Sequence, residues 1–146
     1  MSQFSDQLTI RPFEDADEAA VIRLWQACDL TRPWNDPHRD IDRKRGVHRE
    51  LFLVGTLGDD IVAVAMGGYD GHRGWVYYVG VDPMYRRRGY ATALFHAIEE
   101  RLIALGCPKV LLMVRDTNLQ AADFYRAIGY AQDPIVLFGK RLIDDE

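Results

Sequence analysis

The sequence lacks the features of secreted, disulfide-bonded and membrane-spanning proteins. Only Cys28 and Cys107 are present, and their wide separation excludes a disulfide framework and any CxxC metal or redox motif. No apolar run approaches the roughly 20 residues that a membrane-spanning helix needs. Residues 1–11 also lack the basic start and apolar stretch of a secretion signal. We therefore expect a cytoplasmic protein with reduced thiols, no bound metal and no membrane partner.

The chain also lacks a broad excess of positive charge. It has 18 Lys and Arg against 22 Asp and Glu, which is a formal net charge of -4. Proteins that bind a phosphate backbone need a basic surface, so nucleic acid is not an expected partner. One local exception is Arg86–Arg88, three consecutive cations in an otherwise acidic chain. This cluster is the first candidate for an anion-binding site.

The pattern of the first fifty residues predicts a strand followed by helices. No repeat or linker divides the chain, and 48% of it is hydrophobic, so we expect one domain over residues 1–146. Leu8–Arg11 is a short β-prone run that Pro12 ends. A weak helical pattern spans Asp40–His48. Between them, a helix is predicted from apolar residues spaced three and four apart, namely Val21, Leu24, Trp25 and Cys28.

In the middle of the chain the sequence pattern changes from that of helices to that of β-strands. Leu51–Leu57 and Ile61–Met66 flank a Gly58-Asp59-Asp60 turn, which predicts a hairpin. Trp75–Val81 follows the polar turn Asp70–Gly74 as a third, strongly β-prone strand. Three successive antiparallel strands are therefore expected.

The last third of the chain predicts a helix, a strand, a second helix and a final strand. The first helix runs to Gly106, and Val110–Val114 is a continuous apolar run, typical of a buried strand. Asn118 is placed to cap the next helix. Ile135–Leu142 is the last candidate strand, and Asp144–Glu146 is predicted to be a solvated tail. Together these elements predict an α+β fold, with a mixed, mostly antiparallel central sheet flanked by helices.

The segment between Val79 and Leu94 has the properties of a phosphate-binding loop. It runs from a strand through a tight turn into a helix, whose first backbone N–H groups lack internal partners and carry partial positive charge. Gly89 permits close approach of an anion to the backbone or a positive φ, and the small side chain of Ala91 lets the chain turn tightly into the helix. The alternative interpretation is an ordinary helix start with surface arginines. No GxxxxGK[ST] motif is present, and no GxGxxG motif follows the first strand.

Two motifs resemble those of the GCN5-related N-acetyltransferases (GNAT family). In order along the chain they are Arg86-x-x-Gly89-x-Ala91, between a strand and a helix, and Asn118-x-x-Ala121-x-x-Phe124-Tyr125-x-x-x-Gly129-Tyr130. The order of predicted elements over nearly the whole chain is also that family's. Three further segments are similar to a small bacterial subgroup called YpeA: Arg32–Pro37, Met66–Gly74 and Gly139–Ile143.

The resemblance implies the GNAT fold and acetyl-CoA as the cosubstrate, without a metal. Its pyrophosphate is expected over the loop amides, and its pantetheine arm beside the Trp75–Val81 strand, where a bulge near Gly80 would open an edge. Asn118 is either only a helix cap or also a pantetheine ligand. The cofactor-binding residues implied are Val79, Val81, Arg86, Arg87, Arg88, Gly89, Tyr90, Ala91, Thr92, Asn118 and Tyr125.

The implied reaction is transfer of an acetyl group to a primary amine by direct attack in a ternary complex. Tyr125 matches the family's helix tyrosine and is the candidate general acid. The alternative interpretation is that it is only one aromatic residue on the apolar face of its helix. The Trp75–Val81 strand has no Glu, which many family members use as base. Asp70 and His72 are therefore weak candidates for the base or a water relay. Neither Cys28 nor Cys107 lies in the strand-and-loop sequence, which favours direct transfer over a thiol intermediate.

The acceptor is expected beside the segment that follows the first helix. Trp34 and Asp36 are candidate walls, with Tyr78 across from them, and the alternative is a rigid connection in which Trp34 completes the core. The partner is an amine-bearing small molecule or a protein amine, and a homodimer is possible at the level of the family. The main alternative function is a non-catalytic acyl-CoA-binding or regulatory module of the same fold.

Overall fold

The computed structural model describes residues 7–146. Its strands are β1 Thr9–Pro12, β2 Phe52–Leu57, β3 Asp60–Tyr69, β4 Gly74–Val81 and β5 Val110–Leu112. Its α-helices are α1 Glu18–Ala27, α2 Pro37–Lys44, α3 Tyr90–Ala104 and α4 Leu119–Ala127. Short 3-10 turns span Asp15–Asp17, Arg49–Leu51 and Pro83–Tyr85.

The five strands form one mixed sheet in the order β1-β2-β3-β4-β5. The first four strands pair antiparallel in chain order, as hairpins and meanders do. β5 pairs parallel to β4, because the crossover helix α3 returns the chain to the same end of the sheet. The predicted α+β class is confirmed, including the mostly antiparallel sheet.

Helices cover both faces of the sheet. On one face, α3 buries Leu94, Phe95 and Ile98 against β2, β3 and β4. On the other face, α1 buries Val21 and Trp25, which are 0% exposed, against the opposite sides of the same strands. Two apolar layers therefore hold the sheet from both sides, and the central strands β2 and β3 are buried almost throughout.

A bulge interrupts β4 halfway along its length. Gly80 pairs with Val64 and Tyr77 with Met66, so two residues of β4 stand opposite one of β3. Tyr78 has a φ of +53°, a left-handed conformation that a residue with a bulky side chain rarely adopts. The extra residue breaks the alternation of side chains: Val76 and Tyr78, which are two residues apart and would share a face of a regular strand, pack against the α3 layer and the α1 layer respectively.

β4 and β5 pair over only three residues. The register joins Gly74 to Val110 and Val76 to Leu112, and no pairing between these strands extends further among the described residues. The edge of β4 from Tyr77 to Val81 therefore faces away from β3 without a β5 partner. The two strands diverge toward the end of the sheet at which α3 begins.

Three local predictions are wrong. The weak helix lies at Pro37–Lys44 rather than Asp40–His48, because Asp36 caps it by accepting bonds from the N–H groups of His38 and Arg39, with Pro37 as first residue.

The remaining two corrections concern the C-terminal segment. Ile135–Leu142 is not a strand: the four side chains from Ile135 to Phe138 are 58–90% exposed, and apolar composition alone provides no partner strand. The tail is not fully solvated, because the Asp145 side chain is completely covered. Across residues 7–146, no helix combines the length and apolar character needed to span a membrane.

Candidate functional site

The predicted phosphate loop lies where β4 enters α3. Asp82 accepts a hydrogen bond from the N–H of Met84 (2.9 Å) and starts the turn Pro83–Tyr85. Gly89 is the N-cap of α3 with a φ of +81°, and no atom lies within 4 Å of where its Cβ would be. This glycine therefore opens the helix N-terminus to solvent. The first N–H groups of α3 and the helix dipole favour an anion there.

The three arginines of the loop are exposed around this N-terminus. Arg86 Nε donates to the carbonyl oxygen of Val81 at 3.3 Å, which ties the loop to the end of β4. The Arg88 guanidinium lies over the ring of Tyr85, 5.2 Å from its centroid. Arg87 has a φ of +65°. The structure thus brings three cations to one helix N-terminus, which is the combination that binds phosphates.

The first residues of α3 divide between the core and the surface. The Tyr90 side chain is only 6% exposed and packs in the core beneath the loop. Ala91 and Thr92 are partly exposed. The ring of Tyr90 is therefore buried in the core and does not face the space above the loop.

α4 packs on the α3 side of the sheet, where Phe124, Tyr125 and Ile128 lie against the core cluster. The Asn118 side chain accepts a hydrogen bond from the N–H of Ala121 (3.1 Å), so its capping role is present. Tyr125 packs edge-on against Phe95 with ring centroids 5.4 Å apart, and burial raises the pKa of its phenol. The phenol of Tyr125 is therefore protonated at neutral pH, and its hydroxyl has no hydrogen-bond partner among residues 7–146.

Cys28 lies closer to the predicted cofactor strand than the sequence indicated. Its Sγ donates to the carbonyl oxygen of Val81 (3.3 Å) and would lie 3.0 Å from a Cβ on Gly80. The expectation that both cysteines lie away from this region is therefore wrong for Cys28. Burial raises the pKa of the Cys28 thiol, which keeps it protonated and a poor nucleophile.

Asp70 and His72 lie at the opposite end of β4. Asp70 accepts hydrogen bonds from the N–H groups of His72 (2.8 Å) and Arg73 (2.7 Å), and these bonds lower the pKa of its carboxyl. The length of β4, about 23 Å of extended strand, separates this turn from the α3 N-terminus. The structure does not bring these two residues together with the loop, and their role as base stays a prediction without geometric support.

The predicted acceptor residues surround the start of α2. Trp34 is 42% exposed, so it does not complete the core. Asp36 is engaged as the cap of α2. Tyr78 stacks on Trp25 with ring centroids 4.0 Å apart, and its hydroxyl donates to Asp40 Oδ2 at 2.6 Å. Burial, followed by the Asp40 carboxylate, raises the pKa of Tyr78, so its phenol remains a donor.

Sequence reasoning missed a cluster of charges beside Tyr78. Asp40 Oδ1 accepts from Arg43 (3.1 Å), and Arg43 also donates to both carboxylate oxygens of Asp145, at 3.0 and 2.8 Å. Arg43 first, and also Arg39 and the N–H of Asp36, lower the pKa of Asp145. The three-residue spacing of Asp40 and Arg43 was visible in the sequence, but their contact with the chain end was not.

No group of three or more His, Cys, Asp or Glu side chains arranged to hold a metal ion occurs in the part of the chain that the structure describes. The charged groups near β4 form ion pairs with one another instead. The candidate site therefore combines a helix N-terminus with cations, the edge of β4 that β5 leaves unpaired, and a tyrosine on α4.

Comparison with known proteins agrees with this architecture. The model of the acetyltransferase (GNAT) family matches residues 19–130. An acetyltransferase of Sodalis glossinidius is 51% identical over 140 residues, which cover 95% of this chain and 99% of that protein.

Among solved structures, Ard1 from Thermoplasma volcanium is 29% identical, with a TM-score of 0.76 over 85% of this chain and 82% of that one. AAC(6')-Iy, solved with a CoA-linked bisubstrate analog, shares the fold with a TM-score of 0.77 at 15% identity, over 93% of this chain and 99% of that one. The predicted resemblance to the GNAT family is confirmed, whereas the resemblance to the YpeA subgroup stays a prediction: the chain belongs to the acetyltransferase (GNAT) family.

Proposed function

We propose that the protein is an acetyl-CoA-dependent N-acetyltransferase that moves the acetyl group to a primary amine by direct attack in a ternary complex. The observation that carries this proposal is the unpaired edge of β4 from Tyr77 to Val81, which leads to the α3 N-terminus. An exposed strand edge pairs with the amides of a pantetheine arm, and a helix N-terminus with arginines binds a pyrophosphate. One continuous surface thus matches the two chemically different halves of CoA.

Different groups of the loop would have different roles in binding the cofactor. Gly89 leaves room above the helix N-terminus, the backbone amides up to Thr92 face the phosphates, and Arg86–Arg88 supply positive charge. Backbone groups of Val79 and the N–H of Val81 at the free edge would pair with the pantetheine, since the Val81 carbonyl already accepts from Arg86 and Cys28. Asn118, which caps α4, would supply a further contact to the pantetheine.

The chemistry forms one bond and breaks another. The acceptor nitrogen bonds to the acetyl carbon and the carbon–sulfur bond breaks, so the sulfur gains a proton and the nitrogen loses one. In this proposal Tyr125 would donate the proton to sulfur, and the proton lost by nitrogen would restore the phenol through water. The bulge at Tyr78 leaves backbone groups of β4 outside the sheet pairing, where an N–H can stabilise the developing negative oxygen.

A second candidate is an acyl-CoA-binding module without turnover. It is favoured by one observation, that the β4 strand carries no carboxylate that would serve as a base. The two candidates share the CoA site and differ in whether thiol is released.

The test is calorimetric titration of the purified protein with acetyl-CoA, CoA and ATP, followed by an assay of thiol release with a panel of amines. We expect micromolar binding of acetyl-CoA and CoA, no binding of ATP, and release that depends on the amine. Binding without release for every amine would support the module. Absence of CoA binding would refute both candidates.

A further inference from the structure

The C-terminal segment places a carboxylate in a site made of two arginines. Arg43 donates to both oxygens of Asp145 at 2.8 and 3.0 Å, and Arg39 donates at 3.3 Å. The N–H of Asp36, at the N-terminus of α2, lies 3.5 Å from the same carboxylate. The Asp145 side chain is 0% exposed, although it lies at the surface of the molecule. The site therefore matches the geometry and charge of a carboxylate.

This carboxylate site is connected to the bulge of β4. Arg43 also donates to Asp40 (3.1 Å), and Asp40 accepts from the hydroxyl of Tyr78 (2.6 Å). Two hydrogen bonds and one tyrosine side chain thus lie between Arg43 and the backbone where the acetyl group is proposed to bind. A ligand that reaches both places must be several bonds long.

A cleft of about 570 Å³ adjoins the site. It is lined by Arg43 and by Gly139–Ile143, which include the cations Lys140 and Arg141. The cleft is largely open to solvent rather than enclosed, and the charge of its lining favours an anion. The cleft is therefore unlike a site for a purely cationic amine.

We propose that Arg39 and Arg43 bind a carboxylate carried by the acceptor, and that Asp145 occupies this position until the acceptor replaces it. The proposal rests on the proposed acetyltransferase function and adds the substrate class: an amine whose carboxylate lies several bonds from the reacting nitrogen. Two kinds of molecule have this chemistry. One is an amino acid that reacts at its side-chain amine, and the other is a short peptide with an acidic residue after its first.

The segment that holds Asp145 is suited to displacement. Leu142 is 87% exposed and Ile143 is 59% exposed, so neither anchors the segment in a core. No strand or helix occurs after Ala127 in the described chain. A segment that is held at the surface by the ion pairs of Asp145 and by the hydrogen bond from Arg141 to Asn35 opens at low cost, because little apolar area is exposed again.

The experiment uses two matched pairs of CoA bisubstrate probes, with the acceptor nitrogen joined to CoA through an acetyl linker. One pair carries 6-aminohexanoate or its neutral amide, and the other carries Ala-Asp-amide or Ala-Asn-amide. The ratio of affinities within a pair isolates the carboxylate, since the CoA part is constant. Plain CoA is titrated in parallel, so that a failure of the cofactor site is recognised separately.

Asp145→Asn removes the competing charge and keeps the shape of the side chain. In this variant we expect the carboxylate probe of one pair to bind about tenfold more tightly than its neutral partner. In the unchanged protein we expect a smaller preference for the carboxylate probe, because Asp145 competes for the same arginines. Adding Arg43→Gln should abolish the preference without changing CoA affinity. Arg23→Gln on α1, an exposed arginine outside the cluster, is the matched control.

The outcomes separate the possibilities. Preference in the hexanoate pair indicates an amino-acid side chain, and preference in the peptide pair indicates a peptide. Equal affinities within both pairs in Asp145→Asn, with CoA still bound, would overturn the proposal. A preference for the carboxylate probe that remains after Arg43→Gln would also overturn the proposal. If Arg43→Gln does not fold, Arg39→Gln gives the same comparison.

Discussion

The hydroxyl of Tyr78 donates a 2.6 Å hydrogen bond to Asp40 and so joins the bulge of β4 to helix α2. The ring of Tyr78 stacks on the fully buried Trp25, and the backbone φ is +53°. A left-handed conformation costs an aromatic residue free energy, which this packing and this hydrogen bond offset. The bulge is therefore held by side chains from two helices.

Tyr78→Phe should lower the free energy of unfolding by about 1–2 kcal/mol, because the hydrogen bond to a carboxylate is lost. Urea unfolding measures this change. Tyr77→Phe is the matched control, since its hydroxyl makes no hydrogen bond within residues 7–146. In a double-mutant cycle with Asp40→Ala, additive effects of the two changes would contradict a direct Tyr78–Asp40 interaction.

Stability should fall as the pH rises above about 10. Burial, with a carboxylate partner in each case, raises the pKa values of Tyr78 and Tyr130 above the ordinary value of 10.0. The folded protein then holds protons that the unfolded chain has released, so stability present below pH 10 is lost at higher pH. Urea midpoints at several alkaline pH values test this. A variant with both tyrosines changed to Phe should lose stability less steeply over that range.

Gly89→Glu should abolish acetyl-CoA binding in calorimetry. The new carboxylate repels the phosphates at the α3 N-terminus, and its backbone must adopt a φ near +81°. Gly106→Glu is a matched control: it has a φ of +87° and equally open space, about 25 Å away at the other end of α3. Unchanged acetyl-CoA affinity in Gly89→Glu would refute the loop as the cofactor site.

Tyr125→Phe should leave acetyl-CoA affinity unchanged and lower kcat by about 100-fold, because the proposed proton donor to sulfur is removed. Tyr130→Phe removes a hydroxyl from the same aromatic cluster, where it donates to Glu99 at 2.6 Å. Turnover of this control should stay near that of the unchanged protein. Equal rates for the two variants would contradict the role of Tyr125 as acid.

Gly80→Ala should destabilise the protein by about 1–3 kcal/mol, because a Cβ there would lie 3.0 Å from Cys28 Sγ and 3.2 Å from Leu30 Cδ1. Adding Cys28→Ala removes one of the two neighbours and should restore part of the loss in thermal unfolding. If the second change adds further destabilisation instead, close packing of α1 on the bulge does not explain the requirement for glycine.

Local patterns were sufficient to predict most elements of the fold. The apolar spacing of α1 and α3 reflects one buried face, and β2 and β4 are β-prone runs bounded by turn residues, so both patterns are encoded by neighbours in the chain. The loop from Arg86 to Thr92 was also recognisable, because its function depends on a glycine and charges at one helix start. Ile135–Leu142 was misassigned because a strand depends on a partner edge that local sequence does not specify.

Local sequence was enough to identify the family, the order of most elements and the candidate phosphate loop, since each depends on residues close together in the chain. Which distant groups meet was set by the folded structure. It placed Cys28 against Gly80, joined Tyr78 to Asp40, and brought Asp145 onto Arg43, more than 100 positions away. Such contacts arise from packing around a common sheet, and no periodicity in the chain encodes them.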